Sequence, residues 1–344
     1  MQAPGLRLLR SIARAGLALL LPLLLPAAAV AAMAAQAPTP ERIPLAELLK
    51  HPPLDQLHHT SWGPREGLVG PVYSLAQTTD GYLWLGTDRG LLRFDGVRFE
   101  TFESLAGEKL PERSVLSLQA TPDNGLWIGF MRGGLAHVRN GHVLLQEPMR
   151  PGGFEGATRG FAQEKDGTVW VASTRGLFKR TGDRWQRMGK AEGYPEPSPD
   201  LITWNVHLDG DGNLWVNNTR GLLVKAAGQS HFSRVETPGA TPNYLAVDPT
   251  GRIWAVIKME PFQMRYFRLP RPQVPGDVFG TGHPVAASTY MPMFDRDGYF
   301  WSGARDGVTR ERFPGEEPAV GRDLSPEALA PPPTPFLPLV PASA

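Results

Sequence analysis

An all-β chain folded as a propeller of about six four-stranded blades is what three features of the sequence predict together. Six tryptophans recur at near-constant spacing, a glycine turn stands just ahead of each, and short apolar runs alternate on both sides. The tryptophans are Trp84, Trp127, Trp170, Trp215, Trp254 and Trp301, separated by 43, 43, 45, 39 and 47 residues. A period of roughly 40–45 residues made of short strands is the signature of propeller blades.

Taken in chain order, residues 1–35 read as a secretory signal peptide. Arg7, Arg10 and Arg14 precede a Leu-rich core interrupted by Pro22 and Pro26, and the Ala-rich run that follows supplies the small residues a signal peptidase needs. The alternative is an uncleaved membrane anchor, for which this core falls short of the roughly 20 apolar residues a span requires. Residues 36–56 form a linker, and the propeller occupies 57–313.

Within each copy the glycine three residues before Trp (Gly81, Gly167, Gly212, Gly251, Gly298) supplies the positive φ of a tight hairpin. In the second copy the glycine is displaced to Gly125, behind Asn124. Alternation then places Tyr82, Trp84 and Gly86 on one face and Leu83, Leu85 and Thr87 on the other. A second glycine six residues after Trp (Gly90, Gly133, Gly176, Gly221, Gly307) ends that strand and opens the next. Runs such as Val72–Gln77 and Thr203–Leu208 are inner strands, and Arg98–Phe102 and Arg184–Met188 are outer ones. A four-stranded blade has two apolar faces, so neighbours arranged radially must cover each other, and the six tryptophans become wedges between blades. The fifth copy is the weakest, with Asp248-Pro-Thr-Gly251 for the turn and Glu260 where the second glycine should be.

The sixth copy offers a third strand, Gly307–Phe313, but no fourth. The short run Leu57-His-His-Thr-Ser-Trp62 is expected to complete that blade and close the ring; the alternative is a seven-bladed ring lacking its last blade. Residues 314–344 carry nine prolines and no strand pattern, and read as a disordered tail.

Composition narrows the function. Over 344 residues, 35 Lys+Arg against 34 Asp+Glu give a formal net charge of +1, without the basic excess a nucleic-acid binder carries. The absence of cysteine removes disulfides, thiolate zinc sites and iron–sulfur clusters. Asp209-Gly-Asp-Gly-Asn213 begins like a calcium loop, but Arg220 stands where the bidentate Glu belongs, so a plain hairpin is the better reading. The histidines show no metal-ligand spacing, and no metal or cofactor is expected.

Asp80-Gly-Tyr-Leu-Trp-Leu-Gly-Thr87, followed by Gly90-Leu-Leu-Arg-Phe-Asp-Gly96, resembles the repeat of the two-component regulator propellers; Thr60-Ser-Trp62 and Gly67-Leu68 fit its lead-in. That resemblance covers about residues 57–313. It implies the periplasmic sensor part of histidine kinases, hybrid kinases or diguanylate cyclases, in which an immunoglobulin-like domain, a membrane helix and an output enzyme usually follow. Here only the proline-rich segment follows Phe313, so kinase or cyclase activity is not carried over.

Aligning the copies puts Arg89, Arg132, Arg175 and Arg220 five residues after Trp, and Lys258 and Arg305 four residues after it. By strand order these lie in loops joining second to third strands, all opening on one face. Such a ring of cations suits an anionic small molecule or oligosaccharide; the plainer alternative is a solvated turn residue repeated by duplication. The expectation is therefore a non-catalytic, exported, ligand-binding sensor propeller that works with a signalling-receptor partner or by self-association. An exported propeller enzyme resembling lyases of the virginiamycin B type or lactonases is the alternative.

Overall fold

The computed structural model describes residues 60–103, 107–150, 154–242, 244–259, 263–272, 274–280, 282–285, 290–304 and 307–311. The expected signal peptide, linker and proline-rich tail lie outside the described residues.

The fold is an all-β, six-bladed propeller. Blade 1 consists of β1 (Val72–Gln77), β2 (Leu83–Thr87), β3 (Gly90–Phe94) and β4 (Phe99–Thr101). Blade 2 consists of β5 (Val115–Ala120), β6 (Gly125–Phe130), β7 (Leu135–Arg139) and β8 (His142–Glu147). Blade 3 is β9 (Thr158–Gln163), β10 (Val169–Ser173), β11 (Gly176–Thr181) and β12 (Arg184–Arg187). Blade 4 is β13 (Thr203–Leu208), β14 (Leu214–Asn218), β15 (Gly221–Lys225) and β16 (Ser233–Val235). Blade 5 is β17 (Tyr244–Val247), β18 (Ile253–Met259), β19 (Gln263–Arg268) and β20 (His283–Val285). Blade 6 holds β21 (Tyr290–Phe294), β22 (Phe300–Ala304) and β23 (Gly307–Glu311). Every pairing within a blade is antiparallel and between sequence neighbours, and the first strands of successive blades lie side by side around the centre.

The repeated turn explains why these segments are strands. Gly81, Gly167, Gly212, Gly251 and Gly298 have φ between 80° and 92°, the left-handed region that a tight reversal needs and other residues avoid. In blade 2 the sequence expectation is corrected in one detail. Asn124, not Gly125, takes the positive φ, at 61°, a conformation a short amide side chain tolerates. Its side chain then reaches the neighbouring blade: Asn124 Nδ2 donates to Asp80 Oδ2 at 2.9 Å, while the Asp80 amide and Thr79 hydroxyl donate to its Oδ1.

Packing follows the radial scheme. Trp84 joins Ile128, Phe130 and Val138 of blade 2, and Trp127 joins Phe161 and Phe178 of blade 3. Trp170 packs with Val206 and Phe232 of blade 4, Trp215 with Ala255 and Phe267 of blade 5, and Trp254 with Phe300 of blade 6. Each indole of blades 1–5 thus wedges against the following blade, and these five are 2–8% exposed. At about 25 cal/mol per Å² over roughly 200 Å² of indole, one wedge contributes on the order of 5 kcal/mol. No blade could keep that face in water alone.

Trp301 departs from the expectation for all six. It is half-buried, and the Arg310 guanidinium lies 5.5 Å from its ring. The opposite side of blade 1, formed by Leu85, Leu92 and Phe94, packs with Trp62, Leu68 and Phe99. Trp62 meets Phe94 edge-on at 5.1 Å. Thr60–Trp62 is therefore not a strand, and the sixth sheet has three strands among the described residues; Leu57–His59 lie outside them. The lead-in segment covers the first blade instead of being paired to the last.

Candidate functional site

Three places on the ring carry polar side chains with a repeated geometry. The first is the hairpin between first and second strands, where a carboxylate six residues before Trp ties the turn to the wedge. Asp209 Oδ2 accepts from Trp215 Nε1 and Asn213 Nδ2, both at 2.8 Å, while its Oδ1 accepts the amides of Asp211 and Asn213. Asp248 and Asp295 repeat the arrangement with Trp254 and Trp301, and Glu164 binds Trp170 Nε1 at 2.7 Å. In blade 1 Thr78 takes this role, its hydroxyl accepting from Trp84 Nε1 and donating a hydrogen bond to Asp80 Oδ1. Both oxygens of Asp209 accept from protein donors, and the segment forms the turn between β13 and β14. Among the described residues no three His, Asp or Glu side chains gather as metal ligands.

The second place is the turn between second and third strands, where the cations were expected. Arg89, Arg175 and Arg220 each sit in a turn closed by the side chain two positions earlier. Thr87 Oγ1, Ser173 Oγ and Asn218 Oδ1 accept the respective arginine amides at 3.1, 3.0 and 2.7 Å. Arg132 occupies the equivalent turn of blade 2, and all four arginines are exposed. The side chains of Arg89, Arg132 and Arg175 make no ion pair among the described residues. Arg220 differs: its Nη2 lies 2.6 Å from Asp200 Oδ2, so this cation is answered within the chain. Lys258 is exposed but belongs to strand β18, paired opposite Met264, and not to a loop as strand order implied. Arg305 lies outside the described residues. The strand topology opens the turns of Arg89, Arg132, Arg175 and Arg220 on one face of the disc.

The third place, which the sequence reading missed, is the wall of the central channel. The pairing of β1, β5, β9 and β13 with their second strands slips by one residue near the start of each. This β-bulge leaves Tyr73, Leu116, Arg159 and Trp204 out of the ladder, each eleven residues before its tryptophan. Arg159 and Trp204, from adjacent innermost strands, meet: the guanidinium carbon is 4.4 Å from the centroid of the indole. Tyr244 of β17 is close enough to interact electrostatically with Arg159, whose pKa burial lowers. Arg159 makes no ion pair or hydrogen bond among the described residues, and its Nε is buried without a partner. Further along β13, the half-buried His207 is driven down to about pKa 4 by desolvation.

A cavity of about 500 Å³ lies elsewhere, on the outer rim between blades 4 and 5, lined by His231, Arg234, Glu236, Arg271, Val274 and Asp277 among others. Its strongest charge is already satisfied: Asp277 accepts from Arg271 Nε at 2.8 Å and has Arg268 and Arg252 within 4.0 Å.

With this geometry in view, comparison with known proteins identifies the repeat. The model of the family "two component regulator propeller" matches residues 67–89, from the lead-in glycine through β2 to the first cationic turn. Strands β1 and β2 carry the match to this repeat. The same Trp register recurs around the ring, with a turn carboxylate bonded to the indole in blades 3–6. No curated protein sequence matches the chain. Among solved structures, the extracellular domain of a B. thetaiotaomicron protein assigned to the hybrid two-component systems aligns over 75% of this chain and 37% of its own. The TM-score is 0.53, with 17% identity. A second B. thetaiotaomicron extracellular domain, assigned to a one-component system, covers 73% of this chain and 33% of its own, with TM-score 0.55 and 16% identity. The WD40 propeller of Doa1 aligns over 71% of this chain and 79% of its own at TM-score 0.53 and 12% identity. At such identities these likenesses establish the propeller fold. The chain spans about a third of the length of the two extracellular domains it resembles. Among the described residues no helix is long and apolar enough to cross a membrane.

Proposed function

We propose that this regulator propeller is an exported, non-catalytic sensor module that binds a small molecule or oligosaccharide in the periplasm and passes occupancy to a signalling partner. The observation that carries the reading is the regulator-propeller repeat at residues 67–89, set in a ring that resembles extracellular domains assigned to such signalling systems. The cationic leader with Arg7, Arg10 and Arg14 supports export. The unpaired cations Arg89, Arg132 and Arg175 on equivalent turns favour an anionic ligand on that face, because a planar guanidinium binds carboxylates with two parallel hydrogen bonds. Arg220, already paired with Asp200, contributes least.

The test is a thermal-shift and titration screen of the full chain against acidic and neutral oligosaccharides, repeated with the double variant Arg89→Ala, Arg175→Ala. Binding of acidic oligosaccharides that weakens at least tenfold in the double variant supports the reading. Equal binding of neutral ones, or an unchanged double variant, removes the cationic turns from it; the absence of any binding overturns the sensor role.

A further inference from the structure

We propose that Arg159 and Trp204 form a binding site for a small carboxylate on the wall of the central channel. The inference deepens the sensor reading by giving it a place and a ligand class, and it does not use the cationic turns.

The geometry starts from the bulges. In a regular strand, alternate residues face the two neighbouring blades and are consumed by the seams. The extra residue of a bulge is free of that alternation. In blades 3 and 4 that residue is an arginine and a tryptophan, and they stack on each other at 4.4 Å. The indole covers one broad face of the guanidinium, which leaves the in-plane N–H groups as its remaining directions of interaction. Two other half-buried guanidiniums find an acid: Arg93 bonds Glu100 at 2.9 Å, and Arg271 bonds Asp277 at 2.8 Å. Arg159 finds none among the described residues, although burial already works against its charge and its Nε is cut off from water. A partly desolvated cation without an anion costs stability, and a bound anion would relieve that cost.

The ligand class follows from what surrounds the charge. A single planar cation calls for a planar monoanion, and a carboxylate fits its fork with two parallel bonds. A phosphate dianion would want further positive groups or a set of backbone amides, and no second cation acts on Arg159 among the described residues. Trp204 presents aromatic surface beside the fork. The body of the ligand is therefore a sugar ring or an aromatic ring, lying against apolar faces with its carboxylate toward Arg159.

The experiment titrates the full chain with galacturonate, glucuronate and benzoate beside their uncharged counterparts galactose, glucose and benzamide, with inorganic phosphate as a further probe. Heat and tryptophan fluorescence are read together. At least one carboxylate is expected to bind ten times more tightly than its neutral counterpart and to change the Trp204 emission, a signal lost in Trp204→Phe. Arg159→Gln should abolish the preference, and Arg159→Lys should retain part of it. Circular dichroism checks that each variant keeps its fold. Failure of all three carboxylates, tighter binding of phosphate, or full retention of the preference in folded Arg159→Gln overturns the site. Oligosaccharide binding that persists in Arg159→Gln would leave the sensor reading standing and remove only this site.

Discussion

Replacing Asp209 with Ala should destabilise the propeller far more than an exposed turn residue ordinarily does. The side chain accepts four hydrogen bonds at 2.8–3.0 Å, from Trp215 Nε1, Asn213 Nδ2 and the amides of Asp211 and Asn213. Trp215 is 2% exposed and Asn213 4% exposed, so neither can recover water when the carboxylate goes. A buried indole N–H left unsatisfied costs about 1–3 kcal/mol, and the lost bonds at Asn213 add about 1–2 kcal/mol, for a total of about 3 kcal/mol. With a urea m-value of about 3 kcal/mol/M, the midpoint should fall by about 1 M. Asp209→Asn should fall between the two, since its NH₂ edge cannot accept and one pair of donors stays unmet. Asp211→Ala, which removes an exposed side chain from the same turn, should stay within about 0.5 kcal/mol. Urea unfolding followed by tryptophan fluorescence measures all three. If Asp209→Ala and Asp211→Ala unfold at the same midpoint, the carboxylate does not tie turn to wedge.

The seams and the His207 imidazole give further expectations. Gly129→Ala should cost at least about 2 kcal/mol by urea unfolding, because its Cβ would lie 2.5 Å from Thr158 Cγ2 across the seam between blades 2 and 3; stability equal to wild type would mean the seam can yield. His207 is held near pKa 4 by burial, below the 6.5 of an open imidazole, so the unfolded chain binds the extra proton between those values. Stability due to this group is full above about pH 6.5 and declines as pH falls toward 4, by at most about 3 kcal/mol. His207→Gln should therefore lose less stability than wild type between pH 7 and pH 5, and parallel losses would show that His207 is not buried neutral. Arg220→Ala should change stability by less than about 0.5 kcal/mol, since its partner Asp200 is exposed; a larger loss in thermal unfolding would give this surface pair a structural role.

How far the sequence carried the account can be seen residue by residue. The tryptophan register, the positive-φ glycines and the faces of Tyr82–Thr87 were legible because each rests on a local rule repeated in every copy. The turn carboxylates, six residues before Trp in blades 3–6, were missed, because Thr78 and Thr121 break the series in blades 1 and 2. Asn124 was misplaced by one residue because asparagine and glycine share the left-handed region. The site of Arg159 and Trp204 was invisible to alternation, since a one-residue slip moves a side chain off the face that strict period-two counting assigns. Lys258 was taken for a loop residue because β18 runs longer than its counterparts. The lead-in Trp62 has an aromatic partner in blade 1, Phe94, that no local pattern announces.

The central claim is that this ring holds a ligand and returns it unchanged. Hydrogen–deuterium exchange on the full chain, with and without the tightest-binding acidic probe, tests it when the probe is recovered afterwards and weighed by mass spectrometry. Protection concentrated in β9 and β13 with the probe intact is the predicted result. Conversion of the probe, or protection confined to the rim between blades 4 and 5, would contradict it.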